Sequence, residues 1–148
     1  MIEKFKKEYL DEIMNIWLYT NIETHDFLPS SYWENAYDFV RQAILTADVR
    51  VFVEKQIIKG FIGVIDGYVA GLFVAKSYQG QGIGQQLINS CKRDYHSLKL
   101  DVYAKNESAV LFYEKNGFNK LDKKENEETK ETEYTMKWCK QLELEYLK

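Results

Sequence analysis

Three glycines at alternate positions, in Gln79-Gly80-Gln81-Gly82-Ile83-Gly84, follow the apolar run Tyr68 to Ala75 and open a stretch of helical spacing. Such a turn has no β-carbon on one side, so successive backbone N–H groups can converge on an anion at a helix N-terminus. A pyrophosphate is the natural ligand. Two other phosphate loops do not fit. A P-loop needs G-x-x-x-x-G-K-[ST], and no Lys-Ser/Thr pair follows here. The dinucleotide fingerprint G-x-G-x-x-G would put its third glycine at position 85, which is Gln85. Taken alone, the glycines are also compatible with a turn that merely ends a strand and starts a helix. Other reactive side chains are sparse. The two histidines, His25 and His96, and the two cysteines, Cys91 and Cys139, lie far apart, so neither a metal site nor a redox pair is expected, and both cysteines read as core thiols.

The elements that hold this loop follow from periodicity. Ile2 to Lys6 reads as a short strand, and Leu10, Ile13, Met14 and Trp17 recur at helical spacing. Ser31-Tyr32-Trp33-Glu34 has the form of a capping box, and Trp33, Tyr37, Val40, Ile44 and Ala47 then mark one face of a second helix. Val49 to Glu54, Ile57 to Asp66 and Tyr68 to Val74 form a three-stranded meander turned at Lys55-Gln56 and Gly67. Helical spacing returns at Ile83, Leu87, Ile88, Cys91 and Tyr95, before a strand from Leu98 to Tyr103. Asn106 is placed as the N-cap of a short helix carrying Ala109, Phe112 and Tyr113 on one face, with Gly117 as its left-handed terminator. Two strands finish the chain, one from Phe118 to Leu121 onward and one alternating Tyr134, Met136 and Trp138. The acidic segment Asp122 to Glu133 is the hairpin loop expected between them. The order β-α-α-β-β-β-α-β-α-β-β is a mixed α/β fold on one sheet.

A chain of 148 residues fits a single domain spanning 1–148. Its 20 Lys and Arg against 23 Asp and Glu leave no basic excess for a nucleic-acid partner. Asp122 to Glu133 carries six acids and three lysines, which accounts for the whole net charge of -3. The longest apolar stretch, Tyr68 to Ala75, falls far short of the ~20 residues that span a bilayer, and no signal peptide opens the chain. A cytoplasmic protein without a membrane partner is expected.

The glycine turn is joined by Lys99-Leu-Asp-Val-Tyr103, then Ala104-Lys105-Asn106-Glu107-Ser108-Ala109, then Phe112-Tyr113-Glu114-Lys115-Asn116-Gly117-Phe118. Q-x-x-G-x-G after a strand, with N-x-x-A-x-x-F-Y-x-x-x-G-F following in this order, resembles the GNAT superfamily of N-acetyltransferases. The resemblance is strong over Ile57 to Leu121. Ile16-Trp17, Thr24-His25-Asp26-Phe27-Leu28 and Tyr32 look like the small single-domain bacterial acetyltransferases of the YiaC and YjaB type, which include a protein-lysine acetyltransferase. The resemblance implies the GNAT fold and acetyl-CoA as cosubstrate, with no metal. It implies that Leu72, Phe73 and Val74 lie on the strand that pairs with the pantetheine arm. Gln79, Gly80, Gln81, Gly82, Ile83 and Gly84 would hold the pyrophosphate, with Gly82 and Gly84 least tolerant of a side chain. Asn106 would bond the pantetheine, and Tyr113 would sit beside the thioester sulfur. Gln79 departs from the arginine often found there, leaving phosphate charge to Lys76, Arg93 or Lys105.

The implied reaction is direct attack of an amine on the thioester. A lysine amine of pKa about 10.4 is neutral roughly once in 2,500 at pH 7, so a lysine acetylator needs a base. Asp101, which matches an acidic position of N-terminal acetyltransferases, and His25, whose ordinary pKa suits proton removal, are the candidates, acting directly or through a water. The acceptor would be a protein lysine or N-terminus, or a small cationic amine drawn by the acidic loop. A non-catalytic acyl-CoA sensor is the alternative. The protein is expected to be a monomer or a homodimer, in which the exposed final strand and the tail of Leu142, Leu144, Tyr146 and Leu147 pair with a second copy.

Overall fold

The computed structural model describes residues 1–141; the tail that carries Leu142, Leu144, Tyr146 and Leu147 lies outside the described residues. The elements follow the expected order: β1 (Ile2–Lys4), α1 (Leu10–Thr24), α2 (Ser30–Ile44), β2 (Asp48–Glu54), β3 (Ile57–Ile65), β4 (Tyr68–Val74), α3 (Ile83–Asp94), β5 (Ser97–Tyr103), α4 (Glu107–Lys115), β6 (Asn119–Glu125) and β7 (Thr132–Cys139). The strands form one sheet in the order β1-β2-β3-β4-β5-β7-β6, antiparallel except where β4 meets β5.

Both meander turns have the geometry of two-residue hairpins, in which a left-handed backbone matches the twist of the strands. Lys55 and Gln56 have φ of 53° and 66°, and Asp66 and Gly67 have φ of 50° and 78°. Because side chains alternate along a strand, each face of the sheet collects its own core. Ile62, Val64, Leu98, Leu100 and Val102 pack against Ile83, Leu87 and Ile88 of α3 and Val110 and Tyr113 of α4. Val49, Val51, Phe61 and Tyr103 pack on the other face against Ile13, Met14 and Trp17 of α1 and Trp33 of α2. Asp101 shares the parity of Tyr103 and so faces the α1–α2 side.

Three expectations are corrected. The capping box does not form: α2 starts at Ser30 with Pro29 as N-cap and no side-chain cap. Pro29, at φ -66° and ψ 145°, is the N-cap in place of Ser31 and sets the entry two residues early, which leaves Ser31 inside the first turn. The acidic segment is not all loop, since Asp122 and Glu125 lie on β6 and Glu133 lies on β7. Edge strand β6 is exposed along its whole length, so it shows none of the apolar alternation that marks a strand in sequence. Cys91 is buried as expected, but Cys139, the last residue of β7, is exposed.

Candidate active site

The site begins where the sheet opens. β4 and β5 pair only at Tyr68 and Lys99, and beyond that point the two strands part. On its other edge β4 stays fixed, because Leu72, Phe73 and Val74 pair with Ile62, Phe61 and Gly60 of β3. Their side chains anchor both faces: Leu72 and Val74 pack on the α3–α4 core, and the Phe73 ring lies 5.3 Å from Phe61 on the α1–α2 side. The edge of β4 that faces β5 is therefore a rigid strand edge left open in the middle of a sheet.

The glycine turn lies at the end of this strand. Gly80 and Gly82 have φ of +80° and +81°, and a Cβ at either would meet nothing within 4 Å. The backbone there requires glycine for its conformation, and the space beside it is open. Gly82 is also the N-cap of α3, so the turn ends on uncommitted helix N–H groups followed by Ile83. Gly84 differs. Its φ is ordinary, and an added Cβ would stand 3.4 Å from the Phe112 ring of α4, so its role is close packing of α3 on α4. The left-handed positions of the turn are Gly80 and Gly82. Gln79 donates from Nε2 to the Val74 carbonyl at 3.0 Å and ties the turn back to β4, with Gln81 exposed beyond it. Of the alternative cations, Lys76 pairs with Glu23 and Lys105 with Glu131, while Arg93 sits in the last turn of α3, at the opposite end from the glycines.

Tyr113 is buried on α4 between Phe112 and Phe118, with ring centroids 5.3 and 5.4 Å away. Its hydroxyl has no hydrogen-bond partner among the described residues, and burial holds its pKa above that of an ordinary phenol. Such a phenol keeps its proton and acts as a hydrogen-bond donor.

Asn106 caps α4 as expected, its Oδ1 accepting from the Ala109 amide at 3.3 Å. Its Nδ2 lies 3.3 Å from Nε2 of His25, so two candidates 81 positions apart meet. His25 ends α1 and is enclosed by Trp33, stacked at 5.2 Å, and by the edges of Tyr103 and Phe27. Burial alone pushes its pKa down to about 4.

Asp101 belongs to a different group. It accepts from Thr135 Oγ1 at 2.6 Å and Tyr68 Oη at 2.9 Å, and its Oδ1 is 3.2 Å from Lys124 Nζ. Burial pushes the carboxyl up, but the three donors outweigh it and hold the group below its usual range. Nearby Glu133 moves the other way, raised by burial and by the Asp101 charge. Tyr68, Thr135, Lys124 and Glu133 were not readable as site residues, because their meeting depends on the pairing of β5 with β7 and β7 with β6. Tyr32 adds a phenol near Glu133, raised by burial and by Glu128 of the hairpin loop.

Residues 29–139 match the family described as acetyltransferase (GNAT) domain. The chain belongs to the GNAT acetyltransferases. This acetyltransferase is 31% identical over 140 residues to the peptidyl-lysine N-acetyltransferase YiaC of Escherichia coli (strain K12), covering 93% of this chain and 96% of that protein. It is 31% identical over 118 residues to the peptidyl-lysine N-acetyltransferase YjaB of the same organism, covering 79% and 80%. Among solved structures, the solution structure of apo YjaB from E. coli superposes with a TM-score of 0.80 at 26% identity, over 93% of this chain and 96% of that one. The activity is that of an N-acetyltransferase, and the binding-module alternative is not favoured.

Proposed function

We propose that this acetyltransferase transfers the acetyl group of acetyl-CoA to the ε-amine of a lysine in a protein or peptide. The observation that carries the reading is the wall on the acceptor side of the opened sheet: Asp101, clamped by Tyr68 and Thr135, already holds one primary ammonium, that of Lys124. A lysine arriving from a partner protein has the same headgroup. The likeness to two peptidyl-lysine N-acetyltransferases supports the same acceptor.

Acetyl-CoA fits the rest of the cleft. The open backbone at Gly80 and Gly82 suits the pyrophosphate, and the unpaired edge of β4 from Leu72 to Val74 suits the amide-bearing arm. The amine nitrogen then bonds to the acetyl carbon, the nitrogen gives up its proton, the carbon–sulfur bond breaks, and the sulfur leaves as a thiolate that takes its proton from solvent. Tyr113 is the donor for that sulfur. A phenol raised above about 10 protonates a thiolate of pKa about 8.5 only uphill, so its contribution is a hydrogen bond in the transition state.

Deprotonating the lysine costs about 4.6 kcal/mol at pH 7. Asp101 and Glu133 have separate parts in removing that proton. The depressed carboxyl of Asp101 stays ionised and orients the cation, while the raised carboxyl of Glu133 is the better proton acceptor. Free thiols at Cys91 and Cys139 agree with work in the reducing cytoplasm.

The test is acetyl transfer to a library of lysine peptides, Nα-amines and polyamines, with mass spectrometry locating the product. Acetyl on lysine side chains, with transfer falling as salt rises, is expected. Transfer confined to α-amines or small amines would overturn the lysine assignment.

A further inference from the structure

His25 looks like a base by residue type, yet the structure leaves it no free nitrogen. Asn21, buried at the end of α1, donates from Nδ2 to the Trp17 carbonyl at 2.9 Å, so its Oδ1 faces the imidazole as an acceptor. The His25 Nδ1 atom, 3.1 Å away, is therefore the nitrogen that carries the proton. Nε2 is then an acceptor. It faces the Nδ2 of Asn106 at 3.3 Å, and the orientation of that amide is fixed in turn because its Oδ1 takes the Ala109 N–H. Four hydrogen bonds run in one direction, from the first turn of α4 through His25 to the last turns of α1.

We propose that His25 is a positioning residue, a neutral Nδ1–H imidazole that bridges α1 to α4 and holds the Asn106 amide with one N–H left for the cosubstrate. The bridge stands on the geometry alone; what Asn106 offers a ligand rests on the acetyl-CoA reading. The surroundings agree. Trp33 of α2, Phe27 of the connection between helices and Tyr103 of β5 pack on the ring. Of these only the Tyr103 phenol titrates, and burial raises it, so no carboxylate contact favours an imidazolium. Lys105 lies over the Phe27 ring, 5.2 Å from its centroid. A positive charge on His25 would bring Nε2–H against the N–H of Asn106.

Two measurements on the full chain test this. Long-range 1H–15N correlation NMR at pH 7 is expected to show His25 as the Nδ1–H tautomer, the minor form of a free imidazole; an Nε2–H tautomer or an imidazolium overturns the bridge. This readout does not depend on finding an acceptor, so it separates the proposal from the lysine reading. Kinetically, His25→Leu is expected to raise KM for acetyl-CoA about fivefold, the effect of one lost hydrogen bond. His25→Gln, which can accept and donate but cannot titrate, is expected to restore most of that loss and to keep the wild-type pH profile. If both substitutions instead abolish turnover, or His25→Gln loses the limb of the profile that rises with pH, His25 is a base and the proposal fails.

Discussion

Gly82→Ala separates the two roles that the glycine turn combines, conformation and access. At φ +81° an alanine is strained by about 1–2 kcal/mol, but its methyl group meets no atom of the protein within 4 Å. For a chain of 148 residues that strain corresponds to a fall in Tm of about 3–6 °C. Gly67→Ala is the matched control. Its φ of +78° carries the same strain, its nearest foreign atom is the Ser97 carbonyl oxygen at 3.6 Å, and it sits in the turn between β3 and β4. Calorimetric melting of both variants is therefore expected to show similar losses. Titration with CoA is expected to separate them, because the Gly82→Ala methyl fills the space an approaching phosphate needs. Losing one charge-assisted N–H contact weakens binding by about 1.5–3 kcal/mol, which is more than tenfold. Equal CoA affinity in the two variants would refute the assignment of this open backbone to the pyrophosphate.

Three further outcomes follow from the same geometry. The His25 imidazole stays neutral in the fold down to about pH 4 but takes a proton near pH 6.5 when unfolded, so its contribution is complete above 6.5 and is lost as pH falls. Urea unfolding is expected to show wild type losing about 2.5 kcal/mol more than His25→Gln between pH 7.5 and 4.5. Tyr113→Phe removes a hydroxyl with no partner among the described residues, so melting is expected to be unchanged while acetyl transfer slows by more than tenfold with CoA affinity retained; unchanged turnover would remove Tyr113 from the chemistry. Lys124→Met empties the ammonium position on Asp101, and KM for a lysine peptide is expected to fall about two- to fivefold in low salt; a rise would mean that Lys124 assists the acceptor.

The fold and half of the candidate site were legible as geometry because both are written locally. The cap at Asn106, the left-handed Gly117 and the apolar periods of α3 and β5 each depend on residues a few positions apart, and the structure keeps all of them. The glycine turn belongs to the same class. The group around Asp101, the proposed acceptor wall, does not. Asp101 gains its partners from β4, β6 and β7, and no spacing along the chain announces that Tyr68, Lys124 and Thr135 converge on it. Glu133 looked like one acid in a charged loop until the register of β7 placed it opposite Tyr103. His25 was singled out for its ordinary pKa, and it is the aromatic enclosure built from α2 and β5 that removes the basicity which drew attention to it.

The single pair that joins β4 to β5 has a consequence for how this protein breathes. The strands β1 to β4 and the strands β5, β7 and β6 are two hydrogen-bonded units, and between Val69 and Val74 their backbones are not stitched together. Amides on the facing edges have no ladder partner, so they exchange with solvent through small local openings rather than through global unfolding. On the proposed placement a cosubstrate along β4 would fill the missing rung, and its arrival is expected to slow exchange on both sides of the gap at once. Occupancy of the cleft and cooperativity of the sheet would then be the same variable, with the protein most nearly one body when loaded.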